Sequence, residues 1–135
     1  MAYKKPLPKP NPDTQTFWDG CKEHQLKFQK CWNCHHVRWP PSVICPVCYS
    51  NDTEWIVASG KGKVYTYCIY HQAFHPDFKK DLPYVVAIVE LDEGPHLITN
   101  IVGCEPGEVR CEMPVKVVWD NGNTGFSLPK FKPVR

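Results

Sequence analysis

A mainly β fold is predicted by three features of this chain. Two Cys-x-x-Cys pairs stand ten residues apart, Cys31/Cys34 and Cys45/Cys48. After Glu54 the sequence breaks into short apolar runs separated by Gly, Asp, Asn and Pro, and helical periodicity is absent from that half. Before the cysteines, Phe17, Trp18 and Cys21 recur at helical spacing. Together these give an N-terminal helix, a small zinc ribbon, and then a five-stranded barrel of the oligonucleotide/oligosaccharide-binding (OB) type, with boundaries at 1–25, 26–53 and 54–135.

Composition sets the outer limits. At 135 residues, with 42% hydrophobic and 22% charged, the chain suits one domain with a real core or two very small modules. The formal charge is +2; four thiolates around a divalent ion add about two negative charges, so the loaded protein is expected near neutrality. No run approaches the length of a membrane span, and MAYKKPLPKPNP lacks the apolar centre of a secretory signal. The expected location is therefore the cytosol, where eight cysteines in paired spacing favour metal binding over disulfides.

The elements follow in order. Lysine and proline alternate through Pro12, which favours an extended, solvated arm. Asp13 or Thr14 is placed to cap the helix carrying Phe17, Trp18 and Cys21, with Gly20 a weakening residue inside it. Arg38-Trp39-Pro40-Pro41, between the cysteine pairs, is too interrupted for a helix. Strands are expected over 55–59, 63–70, 84–91, 96–102 and 115–119, with a last short one near Phe126 and a longer connection over 103–114. A closed barrel removes the exposed edges that an open sheet of such strands would present.

Cys31, Cys34, Cys45 and Cys48 supply four soft ligands in two tight turns, the set that zinc takes in tetrahedral geometry. Iron also accepts four thiolates, but zinc is the default ion. A full coordination sphere leaves no site for water, so the role is structural. His35 and His36 are expected at the surface, because the cysteines already close the site.

The segment from Tyr70 through Lys80, between two expected strands, holds His71, Phe74, His75, Phe78, Lys79 and Lys80. Aromatic and basic groups together suit an adenine ring and phosphates; the alternative is a solvated loop whose aromatics pack on the barrel. Trp39 and the 74–78 region are expected to offer exposed aromatics to a partner. The remaining thiols, Cys21, Cys68, Cys104 and Cys111, lie in no activated context and are expected to be buried and inert. No catalytic constellation is found.

With these residues laid out, the chain resembles the acyl-CoA-associated proteins that join a rubredoxin-like zinc ribbon to an OB-fold, long catalogued as a domain of unknown function. The landmarks are Phe17-Trp18, Cys31-Trp32-Asn33-Cys34, Pro40-Pro41, Cys45-Pro46-Val47-Cys48, Ser59-Gly60-Lys61-Gly62-Lys63-Val64-Tyr65 and His75-Pro76. They continue through Pro83-Tyr84-Val85-Val86-Ala87, Val89-Glu90-Leu91-Asp92-Glu93-Gly94-Pro95 and Thr99-Asn100-Ile101-Val102-Gly103-Cys104. The resemblance implies a non-catalytic subunit that assembles with a thiolase-fold enzyme and completes or covers a channel for an acyl-CoA ester, the catalytic residues belonging to the partner. Family members serve acyltransferases, hydroxymethylglutaryl-CoA synthases and steroid side-chain aldolases, and one serves a thiolase for a benzylsuccinyl-type CoA ester in toluene breakdown.

A nucleic-acid-binding module is the competing class, since zinc ribbons and OB-folds both occur there. The electrostatics oppose it: the lysines gather in the N-terminal arm, the Lys79-Lys80 pair and the C-terminal tail, without the basic groove that single-strand binders use.

Overall fold

The computed structural model describes residues 8–72, 76–120 and 127–134. The chain enters its helix α1 (Gln15–Lys22) through a turn held by Asn11, whose side-chain oxygen accepts the Asp13 and Thr14 backbone N–H groups, each at 3.0 Å. Thr14 occupies the cap position, but its hydroxyl is turned back to Asn11 and caps no helical N–H. Phe17 and Cys21, one turn apart, form the buried face. Gly20 is there for space: a Cβ would stand 2.9 Å from the Gln25 carbonyl oxygen, because the chain doubles back under the helix.

The strand β1 (Lys27–Cys31) is the centre of a three-stranded antiparallel sheet, flanked by β2 (Val37–Arg38) and β3 (Thr53–Val57). β3 overlaps the first part of the run expected at 55–59 among the barrel strands and ends at Val57. It pairs instead with β1, from Lys27 opposite Val57 to Cys31 opposite Thr53. A two-stranded hairpin is marginal alone, and a third strand gives the ribbon a face on which to bury Phe28.

Five strands close the barrel: β4 (Lys61–Tyr70), β5 (Tyr84–Leu91), β6 (His96–Ile101), β7 (Pro114–Asp120) and β8 (Leu128–Pro133), in the order β4-β5-β6-β8-β7 with β7 returning to β4. Every pairing is antiparallel except β6 with β8, a short parallel contact at Ile101 and Phe131. Phe126 lies outside the described residues; the strand expected near it runs over Leu128–Pro133. Two prolines hid it in the sequence. They are tolerated because the β6 ladder touches β8 at a single register position, leaving few N–H groups in demand.

Alternation places Val85, Ala87, Val89 and Leu91 of β5 inside, with Leu97, Thr99 and Ile101 of β6, Val115 of β7 and Phe131 of β8. β4 changes phase along its length. Val64 faces in opposite Val89; the register then shifts so that Thr66 meets Ile88, and beyond this bulge it is Tyr67 and Ile69 that pack on the core.

One apolar core runs through ribbon and barrel, joining Phe17, Leu26 and Phe28 to the barrel interior. Each fully buried large side chain contributes about 1.5–3 kcal/mol. Polar ties support the junction: Ala58 N–H donates to Leu26 C=O at 2.7 Å, Val117 N–H to Gly60 C=O at 2.7 Å, and the His24 ring stacks on Trp119 of β7 at 5.3 Å.

The Gly60-Lys61-Gly62 turn signal masked the true start of β4. Gly62 lies inside the strand with the Glu90 carbonyl where its Cβ would go. Gly62→Ala is expected to cost about 1–3 kcal/mol by overpacking against backbone, measured as a lower urea midpoint at unchanged m-value.

Candidate metal centre and adjoining surfaces

The two cysteine pairs fold into matching knuckles. In each, the first cysteine N–H donates to the carbonyl five residues on, Cys31 to His36 and Cys45 to Ser50, both at 2.9 Å. Its own carbonyl accepts the N–H four residues on, from His35 and Tyr49, again at 2.9 Å. This closure drives His35 and Tyr49 to φ of 66° and 63°, the left-handed region that glycine usually fills. Neither sequence position announces such a turn. The strain, about 1–2 kcal/mol for each residue, is held by closure of the pair around a common point.

That point fits a tetrahedral ion. Cys31 Sγ and Cys48 Sγ stand 3.5 Å apart, Cys34 Sγ and Cys45 Sγ 3.6 Å, and all four sulfurs lie within 4.8 Å of one another. A metal–sulfur distance of about 2.3 Å requires tetrahedron edges of about 3.8 Å. Cys31 and Cys45 are buried, Cys34 and Cys48 half-buried, so the cluster is closed on one side by the ribbon core.

Donors around the sulfurs stabilise thiolate. Asn33 Nδ2 donates to Cys48 Sγ at 3.5 Å, and this, with the Ser50 N–H, draws the Cys48 thiol down to about 6. The Cys48 N–H, followed by that of Val47, lowers Cys45. At Cys34 the His36 N–H pulls downward, but burial and the three neighbouring sulfurs outweigh it and push the thiol to about 12. With no metal, four crowded sulfurs retain protons among themselves; a divalent ion displaces them.

The buried Arg38 guanidinium anchors the segment that leads to the second knuckle. Its Nη2 donates to Ser42 C=O and to Thr53 Oγ1, both at 2.8 Å, while Ser42 N–H donates to Gln29 Oε1 at 2.7 Å. Thr53 lies opposite Cys31, so the Arg38 side chain ties the segment before the second knuckle to the strand that pairs with the first.

His35 and His36 are exposed, in keeping with a site closed by cysteine. Trp39 is not the exposed aromatic the sequence suggested: its ring lies 4.3 Å from Phe17 and 5.8 Å from Phe28, half-buried under α1. Trp32, Val43, Ile44, Val47 and Tyr49 are exposed apolar side chains around the two knuckles.

Of the residues proposed for a nucleotide, His71 follows β4 and is exposed, and Lys79 and Lys80 are exposed in a 3₁₀ turn over Pro76–Asp81 that also contains Phe78. Phe74 and His75 lie outside the described residues.

The expectation of four buried, inert thiols needs correcting. Cys21 is fully buried and its thiol is pushed up to about 12 by burial. Cys68 and Cys111 are exposed, and Cys104 is half-buried beside Asp81 and Tyr84 in a cavity of about 280 Å³. Cys68 is turned outward by the β4 bulge, which reverses the alternation that would have set it on the face of Val64. Cys111 sits in the turn before β7. Among the described residues no helix is long and apolar enough to cross a membrane.

A four-cysteine ribbon packed on a five-stranded OB barrel defines a two-module class of protein, and comparison with known proteins narrows it. Residues 18–54 match the rubredoxin-like zinc ribbon domain of ChsH2, and residues 55–120 match the ChsH2 C-terminal OB-fold domain. A DUF35 domain-containing scaffold protein of Methanocaldococcus jannaschii is 43% identical over 125 residues, spanning 87% of this chain and 88% of its own. A probable enoyl-CoA hydratase alpha subunit of Thermomonospora curvata is 40% identical over 129 residues; the chain spans 96% of itself but 40% of that relative. Benzoylsuccinyl-CoA thiolase subunit BbsA of Thauera aromatica is 28% identical over 145 residues, covering 98% and 97% of the two chains. Among solved structures, a chain of the Ltp2-ChsH2(DUF35) aldolase superposes with a TM-score of 0.86 at 39% identity, over 94% of this chain and 98% of that one. The chain belongs to the ChsH2-type DUF35 family of zinc-ribbon and OB-fold proteins.

Two outcomes follow for the metal and the thiols. The purified protein is expected to hold about one zinc per chain, and stripping the metal with a strong chelator to speed amide exchange in Lys27–Cys31 and Thr53–Val57 while Tyr84–Leu91 stays protected, read by hydrogen-exchange mass spectrometry. In the zinc-loaded protein, iodoacetamide should modify Cys68 and Cys111 within minutes and leave Cys21 untouched until unfolding. Because the folded Cys21 thiol is raised above its ordinary value of 9.0, its contribution is complete below that pH and is lost as pH climbs towards 12.

Proposed function

We propose that this chain is the non-catalytic accessory subunit of a thiolase-fold complex acting on an acyl-CoA, where it supports assembly and completes or covers the channel for the ester. The observation that carries this reading is the match, across both modules and nearly the full chain, to the ChsH2 chain of an aldolase assembly. Relatives whose names include a hydratase alpha subunit and a thiolase subunit point to the same chemistry of CoA esters. The thiolase subunit relative supports an aromatic-compound pathway, including benzylsuccinate-type intermediates of toluene breakdown, as the narrower assignment.

The residues of the chain accord with a supporting role. The metal site has four protein ligands and no position for substrate, so it orders the ribbon. The apolar knuckle side chains are exposed in the isolated chain and suit burial against a partner subunit. In the sequence that follows β4, His71, Phe74, His75, Phe78, Lys79 and Lys80 are the residues we assign to the nucleotide end of CoA, with Lys79 and Lys80 offering cations to its phosphates. Such an assembly would draw on the cytosolic pool of CoA esters.

Affinity purification of the tagged chain from its native cells, with mass spectrometry of the eluate, tests the assignment. A near-stoichiometric thiolase-fold protein is expected. Recovery with nucleic acid, or with no such enzyme, would return the OB barrel to the nucleic-acid class. In the assembled complex, replacing Lys79 and Lys80 together by Ala should weaken CoA-ester binding about tenfold, on the order of 1.4 kcal/mol, and unchanged affinity would remove this loop from the site.

A further inference from the structure

A cavity of about 690 Å³ lies where α1 and the segment after β2 overhang the outer face of the barrel. Trp18, Trp39 and Pro40 form one wall; Ile98, Leu128 and Pro129 belong to the other. It contains neither the metal ligands nor the residues assigned to the nucleotide. Its size falls within the roughly 300–1,000 Å³ of small-molecule sites, whose walls are typically apolar and aromatic with a few polar groups at one end.

The residue choice on β6 is unusual for a solvent-facing surface. His96, Ile98 and Asn100 alternate with the buried Leu97, Thr99 and Ile101, and Ile98 is 70% exposed on a position where a polar side chain costs nothing. Both indole-bearing residues of the opposite wall are held in place: Trp39 packs on Phe17 and Phe28, and Trp18 meets Phe17 edge-on at 5.0 Å. These walls suit a flat apolar body.

His96 and Thr99 also line the cavity, the Thr99 hydroxyl already donating to Pro129 C=O, and at one end Asn100 and Lys130 line both this cavity and the neighbouring one of about 280 Å³. The Asn100 side-chain amide donates to Val85 C=O at 2.9 Å, and the Lys130 ammonium pairs with Asp120 at 2.9 Å. The amide has two hydrogens and the ammonium three, so both groups retain donors for an acceptor oxygen.

We propose that the cavity binds an amphipathic small molecule with an apolar, ring-bearing body against Trp18, Trp39 and Ile98 and a carboxylate or carbonyl oxygen at Asn100 and Lys130. The site lies wholly within this chain and stands independently of the accessory-subunit assignment.

The test uses the zinc-loaded full chain with 2-naphthoate as probe and naphthalene as its neutral counterpart. Titration should give saturable quenching of tryptophan emission, with amide shifts concentrated at Trp39, Ile98 and Asn100. Ile98→Glu sets a carboxylate in the apolar wall and should weaken binding at least about tenfold; the side chain is exposed, so the fold is expected to persist, checked by circular dichroism and zinc content. Val47→Glu at the exposed knuckle should leave binding unchanged. Asn100→Ala should weaken naphthoate more than naphthalene. Absence of saturable binding, or binding indifferent to Ile98→Glu, overturns the site; equal losses for the two probes in Asn100→Ala overturn the placement of the polar end.

Discussion

Four sulfur atoms must reach one point from two short turns, and that requirement governs the first half of the molecule. A Cys-x-x-Cys pair turns both sulfurs to the same side only if the backbone closes on itself within five residues. The closure forces His35 and Tyr49 into the left-handed region, a conformation their side chains oppose. Ribbon sheets of this size have little apolar area to offset such strain. Coordination supplies the missing stabilisation, since structural zinc contributes on the order of 10 kcal/mol or more to small modules of this kind. The surrounding donors, Asn33 foremost, favour the thiolate state that the ion needs.

The ribbon does not stand alone on its metal. Phe17, Leu26 and Phe28 extend its core into that of the barrel, so burial and coordination stabilise the same small sheet from opposite sides. β3 is the joint: it completes the ribbon by pairing with β1, and four residues later the chain enters β4. So short a connection, tied by the Ala58–Leu26 and Val117–Gly60 hydrogen bonds, leaves the two modules little freedom to swing. Loss of the metal therefore propagates first to β1 and β3, while the barrel keeps the ladders among its own five strands.

The metal ligands were legible because their chemistry is local: paired cysteines at fixed spacing imply an ion whatever surrounds them. The barrel was legible because alternation survives in β5 and β6, where each strand has one buried face. What escaped was information carried by pairing. Trp55 and Ile56 look like any strand residues, and only their partners across β1 assign them to the ribbon. Cys68 reads as a core position until the extra residue at Tyr65 changes the phase of β4. Trp39, beside two prolines, reads as a loop aromatic; its burial depends on Phe17, more than twenty residues away in sequence. The large cavity escaped for the same reason, its walls coming from segments that share no local signal.

A small OB barrel has no room inside for a ligand. Val64, Val89, Val115 and Phe131 fill this one completely, as the tight geometry of five strands requires. Space of ligand size arises instead on the outside, where a second element overhangs the β6 and β8 face. That overhang is built from the segment between the two cysteine pairs. One end is fixed at Cys34 and the other at Cys45, and its middle is pinned by Arg38 and Gln29 through Ser42. Trp39 and Pro40, the wall of the cavity, sit within this doubly anchored stretch. The closed metal site thus bears on the proposed cavity through the backbone alone: it holds the two ends of the segment that carries Trp39, while packing against Phe17 and Phe28 holds the ring itself.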